Sequence, residues 1–137
     1  MYNSGFGTYA LTSNLTGTAN TATGYQALYS NTTANFNTAN GFCALWANTR
    51  GRDNTAVGSY SLYHNTDGFE NTAVGHLALQ ANERGDRNTA TGHKALATNI
   101  NGFNNTAVGA NSLEFNTREV RIPGSVLKRF TSTNRVI

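Results

Sequence analysis

The residues best able to do chemistry in this chain are aromatic. Tyr9, Tyr25, Tyr29, Phe42, Trp46, Tyr60 and Tyr63 crowd its first half. An aromatic face packs on apolar C–H surface while a phenol tip stays wet, so such a set can hold a sugar ring; it can equally pack against another chain. Tyr25, Tyr29, Trp46, Tyr60 and Tyr63 are the candidate ligand-binding residues. Other chemistry is thinly represented. His76 and His93 lie 17 residues apart, with no Cys or carboxylate series beside them, so no metal site is expected. The acids Asp53, Asp67, Glu70, Glu83 and Asp86 hold no one position throughout, as a calcium-binding repeat would require. Neither paired carboxylates nor a nucleophile–base set converges on a pocket. The chain is expected to be neither an enzyme nor a cofactor binder.

What positions these side chains is a repeat. A five-residue motif of the form Asn-Thr-Ala-Val-Gly begins at Asn3, Asn20, Asn37, Asn54, Asn71, Asn88 and Asn105, each step being 17 residues without insertion or deletion. Seven units cover residues 3–121. Numbering each unit from its first Asn, position 5 is always Gly and position 8 always Ala or Ser. Position 9 is always Leu (Leu11, Leu28, Leu45, Leu62, Leu79, Leu96, Leu113). Position 12 is always Asn (Asn14, Asn31, Asn48, Asn65, Asn82, Asn99, Asn116). Position 15 is Gly except at Ala34 and Glu119. The aromatic candidates occupy positions 6, 7 and 10.

A 17-residue period is too short for a pair of packed helices, which needs about 30 residues. A single long helix would carry Gly in every unit at about 1 kcal/mol each. The period fits one coil of an all-β parallel β-solenoid, with two short strands and two bends. The Thr-Ala-Val triplets Thr55–Val57, Thr72–Val74 and Thr106–Val108 predict one strand, and the Ala/Ser-Leu segment lies near the other. The two Gly positions and the second Asn are expected at the bends with positive φ. Coils stacked about 4.8 Å apart turn equivalent residues into columns. The Leu and Asn columns are the predicted structural ladders, each Asn amide bonding the next.

The composition agrees. Charged residues are 12% and mean hydropathy is −0.44. Aromatics at 10% and abundant Thr argue against disorder. Ala at position 3 and Leu at position 9 are a thin core against the roughly 1–2 kcal/mol that ordering each residue costs. The strand face opposite the core carries Thr at position 2, and Phe6, Thr23, Asn40, Val57, Val74, Thr91 and Val108 at position 4. That half-apolar, low-charge face predicts an obligate oligomer. Phe36, Phe69 and Phe103 are expected to brace a corner.

The pattern "NTAVGxxALxxNTxGxxNTAVG" over residues 3–121 resembles the parallel β-roll of trimeric autotransporter adhesin heads. It is similar also to the Asn-Thr-rich repeats of phage tail fibres and large bacterial surface proteins. The resemblance implies a left-handed roll, a homotrimer around an axis, and a part in attachment, with a host glycan or protein as partner. Its period is longer than that of adhesin heads. The Thr column (Ser4, Thr21, Thr38, Thr55, Thr72, Thr89, Thr106) also resembles the ice-binding faces of some antifreeze proteins. Position 4 repeats the hydroxyl only at Thr23 and Thr91, however.

After residue 121 the pattern stops. From Arg118 onward five basic residues accompany one acid, Glu119, while the remainder holds five basic and six acidic residues; the net charge of +3 therefore belongs to the tail. Residues 122–137 are expected to form a basic cap, since repeat arrays need atypical ends, or else a tail that docks onto an acidic partner or exchanges with a neighbouring chain. With no recognition module, nucleic acid is not an expected partner. No apolar run approaches the length of a membrane span. Met1–Gly5 has no secretory signal pattern, which fits a virion component or a piece of a longer chain. The functional expectation is a trimeric segment of a phage tail fibre or surface adhesin, virion-borne or extracellular. The alternatives are a purely architectural filament segment and an ice-binding solenoid.

Overall fold

A computed structural model of the chain describes residues 2–116. Seven strands form one parallel sheet in sequence order: β1 (Ser4–Phe6), β2 (Thr21–Thr23), β3 (Thr38–Asn40), β4 (Thr55–Val57), β5 (Thr72–Val74), β6 (Thr89–Thr91) and β7 (Thr106–Val108). Every pairing joins residues 17 apart, as Ala56 with Ala73 and Val57 with Val74. The fold is a β-solenoid with the period read from the sequence. No helix among the described residues is long and apolar enough to cross a membrane.

Alternation within each strand places position 3 inside and positions 2 and 4 outside. From β2 onward the central Ala is fully buried. Ala at positions 3 and 8 and Leu at position 9 make one continuous core, with Leu28, Leu45, Leu62, Leu79 and Leu96 at 0% exposure. Leu11 and Leu113 are only partly buried, because each has a neighbouring coil on one side alone among the described residues.

Each coil has one strand, where two were expected. The Ala/Ser-Leu segment is a turn, and its Leu residues all have φ between 48° and 54°. Positive φ also occurs at position 7 (Gln26, Cys43, Tyr60) and position 17 (Phe36, Asp53, Glu70), none of them Gly. The reason lies in the backbone. At positions 5, 7, 9 and 17 the N–H points along the solenoid axis to a neighbouring coil: Gly58 to the Asn40 carbonyl (2.8 Å), Tyr60 to Phe42 (2.9 Å), Leu62 to Ala78 (3.0 Å), Glu70 to Arg52 (3.0 Å). A left-handed residue costs about 1–2 kcal/mol, and in the inner coils each of these gives an inter-coil hydrogen bond instead of an orphan donor.

The two Gly positions therefore have different causes. At position 5, φ runs from 116° to 149°, and a Cβ on Gly75 would meet the Gly92 carbonyl oxygen at 2.6 Å. At position 15 φ is not left-handed; there a Cβ on Gly51 would overlap the Gly68 carbonyl and the Asn48 side chain. The Asn at position 12 is likewise not in the left-handed region but buried, as described next. Residues 117–137, including the expected basic cap and the end of the seventh unit, lie outside the described residues.

Candidate binding surface

Three faces of the coil differ in what they hold inside and offer outside. The inner polar scaffold comes first, because it fixes the register. Asn65 Nδ2 donates to Asn48 Oδ1 (2.9 Å) and to the Gly68 carbonyl (3.0 Å), and Asn65 Oδ1 accepts from Asn82 Nδ2 (2.8 Å). This column was legible from the sequence. A second column, at position 1, was not singled out, although its Asn is invariant. There Asn54 N and Nδ2 both donate to Asn37 Oδ1 (3.0 and 3.2 Å), and Nδ2 also donates to the Gly68 carbonyl (2.8 Å). One Gly carbonyl thus accepts from both Asn columns, which ties the strand to the opposite corner. No buried side-chain nitrogen or oxygen among the described residues lacks a partner.

The aromatic candidates lie in two columns. Positions 6 and 7 give Tyr9, Tyr25, Phe42 and Tyr60 in sequence. Tyr25 and Phe42 stack at 5.2 Å between ring centres and 15° between planes, while Tyr9 and Tyr60 meet them edge-on. Position 10 gives a longer run of parallel rings: Tyr29 on Trp46 (5.7 Å, 3°) and Trp46 on Tyr63 (5.3 Å, 17°). Tyr60 meets Tyr63 edge-on at 5.4 Å and joins the columns. The structure therefore brings all five candidate residues into one surface. Stacking has a consequence that composition does not show. Trp46 gives both ring faces to its neighbours, so the columns present ring edges and hydroxyls outward.

Cys43, at position 7 like Tyr60, is buried beside Gln26, with Sγ 3.7 Å from Oε1. Burial pushes its thiol up from the ordinary value. The Tyr63 hydroxyl is also raised, first by desolvation and then by Cys43 and Tyr60 nearby. Farther along, His76 and His93 stack at 5.4 Å and 22°, as their shared repeat position implied. Tyr60 meets His76 edge-on at 6.4 Å.

Among the described residues the charges gather at another corner, positions 13–17 of the third to fifth coils, except Lys94 and Glu114, which pair at 3.4 Å from positions 7 and 10. Arg50 donates to Asp67 (2.7 Å), and Arg84 stands 3.9 Å from the other oxygen of Asp67, an alternating column. Arg52 lies over the Phe69 ring at 5.4 Å. Phe69 and Phe103, both at position 16, are half-buried there, but Phe36 falls one position later and is 62% exposed, so it braces nothing. The strand face carries no charge in any of seven coils, and Phe6, Val57, Val74 and Val108 stand exposed on it.

Comparison with protein-family models, with curated proteins and with solved structures gives no match.

Proposed function

We propose that this chain is a structural attachment segment: a homotrimeric β-solenoid from a phage tail fibre or a bacterial surface adhesin, which holds its outer side chains in fixed rows before a host glycan or protein. The observation that carries this reading is the segregation of surface character. Apart from the Lys94–Glu114 pair, charge among the described residues is gathered at one corner, while the strand face is uncharged from β1 to β7 and partly apolar. An uncharged face with exposed Phe and Val side chains suits a contact surface.

Size says how such a contact must be made. Seven strands at about 4.8 Å and three residues at about 3.3 Å give a face of roughly 300 Å². A standard interface needs about 800 Å² from each partner. On this reading sister chains cover the strand face together with adjoining surface at position 6, and the position 10 column faces outward. Three copies multiply a weak contact without any new chemistry. Binding of the purified protein to a printed array of bacterial polysaccharides and animal glycans, alongside its mass in solution, tests the reading. Array binding that disappears on dissociation into monomers supports it.

The covered ring faces favour a second reading, a purely architectural segment of a filament. A trimer that binds nothing on the array or on cells would establish that one. The ice-binding alternative is separated by thermal hysteresis. None is expected, since Phe6, Asn40, Val57, Val74 and Val108 interrupt the position 4 row and, on this reading, sister chains cover the face.

A further inference from the structure

We infer that Tyr29 and Thr12 form a stacking notch for one neutral pyranose ring, the ligand class of the attachment site; the inference rests on the attachment reading above. The position 10 column runs Thr12, Tyr29, Trp46, Tyr63, Gln80. Trp46 is covered by rings on both sides, and Tyr63 is closed in by Trp46, by Tyr60 edge-on and by His64 edge-on at 4.7 Å. Tyr29 has a ring partner on one side only. On its other side the rung is Thr12, an exposed side chain too small to cover a phenol ring. The stack is one ring short, and the gap is one coil high, about 4.8 Å. That is the depth a single six-membered ring needs to lie on an aromatic face.

The surroundings select the kind of ring. Tyr60, at position 7, stands 5.4 Å from Tyr63, at position 10, and Tyr9 and Thr12 hold those same two positions in the first coil. The rim thus combines phenol and threonine hydroxyls, which suit the equatorial hydroxyls of a sugar whose C–H face rests on Tyr29. No Asp, Glu, Lys or Arg occurs before Arg50, so among the described residues the first two coils hold no side chain that pairs with a carboxylate or an amine on the ligand. A neutral hexose fits, and an acidic one does not.

The single tryptophan, Trp46, lies directly beneath Tyr29 and reports the site by fluorescence. The protein is titrated with methyl glycosides of glucose, galactose and mannose, and with methyl glucuronide. At least one neutral glycoside is expected to perturb Trp46 and the glucuronide to bind worse. Thr12→Tyr, which supplies the missing ring at an exposed position, is expected to weaken binding about tenfold or more, and Thr12→Ser to keep it within about threefold. Unchanged thermal melting confirms that both variants fold. If Thr12→Tyr binds the glycoside as tightly as the parent, the notch is refuted. If no glycoside binds while the trimer still binds the glycan array, the notch is refuted and the attachment reading stands. If the protein binds neither, both fall.

Discussion

Asn65 donates its side-chain amide to the side-chain oxygen of Asn48, 17 residues earlier, at 2.9 Å, and both residues are fully buried. This rung fixes the register of two coils from inside. Asn65→Ala leaves Asn48 Oδ1 without its donor and removes the acceptor for Asn82 Nδ2. Stranding buried polar groups costs about 1–3 kcal/mol each, so a loss of roughly 2–4 kcal/mol is expected in urea unfolding. Asn65→Asp keeps the acceptor but sets a carboxylate against Asn48 Oδ1 and the Gly68 carbonyl. Its folded state favours the protonated acid, so its stability is expected to fall as pH rises through the carboxylate range.

Gly75 and Gly51 separate the two reasons for glycine. Gly75→Ala combines a φ of 132° with a Cβ placed 2.6 Å from the Gly92 carbonyl oxygen, and neither coil can move without losing ladder bonds. A cost of about 3 kcal/mol or more is expected. Gly51→Ala repeats what the chain already carries at Ala34. There the methyl group holds the corner apart: in the second coil Thr33 supplies the one backbone N–H to the Thr49 carbonyl (3.3 Å), beside the Thr32 hydroxyl (3.1 Å), whereas in the third the backbone N–H groups of Thr49, Arg50 and Gly51 all donate to the Thr66 carbonyl. Its cost is expected nearer 1 kcal/mol. Chemical denaturation of the pair gives the ranking, and equal costs would contradict it.

Asp86 accepts from Phe69 N at 3.0 Å, as Asn35 does from Thr18 N at 2.7 Å at the same repeat position. Its carboxyl is raised above the ordinary value of 3.8, chiefly by desolvation and least by Glu70, while the Phe69 bond and Arg87 pull the other way. A raised acid holds its proton more tightly in the folded state, so it contributes stability at low pH that is lost as pH rises through the carboxylate range. Asp86→Asn keeps the hydrogen bond and removes that loss. The variant is expected to gain on the parent from about pH 3 to pH 6 and to melt at or above the parent at neutral pH.

The period, the core and the position 12 ladder were legible because each is written as an invariant residue at a fixed spacing. The direction of the strand was legible as well, since Thr-Ala-Val alternates. The second half of the coil was not. Leu62, Tyr60 and Glu70 are left-handed residues of types that do not advertise positive φ, and only the inter-coil bonds of their amides explain them. The position 1 Asn column shared that fate: its invariance was visible, but its link across the coil to the Gly68 carbonyl is tertiary. The aromatic set was found by composition, yet its stacking, which hides ring faces and leaves Tyr29 half open, depends on coils lying in register.

Arg50 and Asp67 form the shortest ion pair among the described residues, at 2.7 Å, on an exposed corner. Exposed pairs contribute about 0–1 kcal/mol. Arg50→Ala is therefore expected to shift the unfolding midpoint far less than Asn65→Ala, and the small difference should shrink further at high salt. A large effect would mean that the charged corner, and not the buried amides, holds the coils together.

Sedimentation equilibrium of the purified chain at neutral pH bears most directly on the proposal that so thin a solenoid stands with sister copies against its uncharged strand face. The expected result is a single species at three times the chain mass of 14.7 kDa. A folded, cooperatively melting monomer would contradict it.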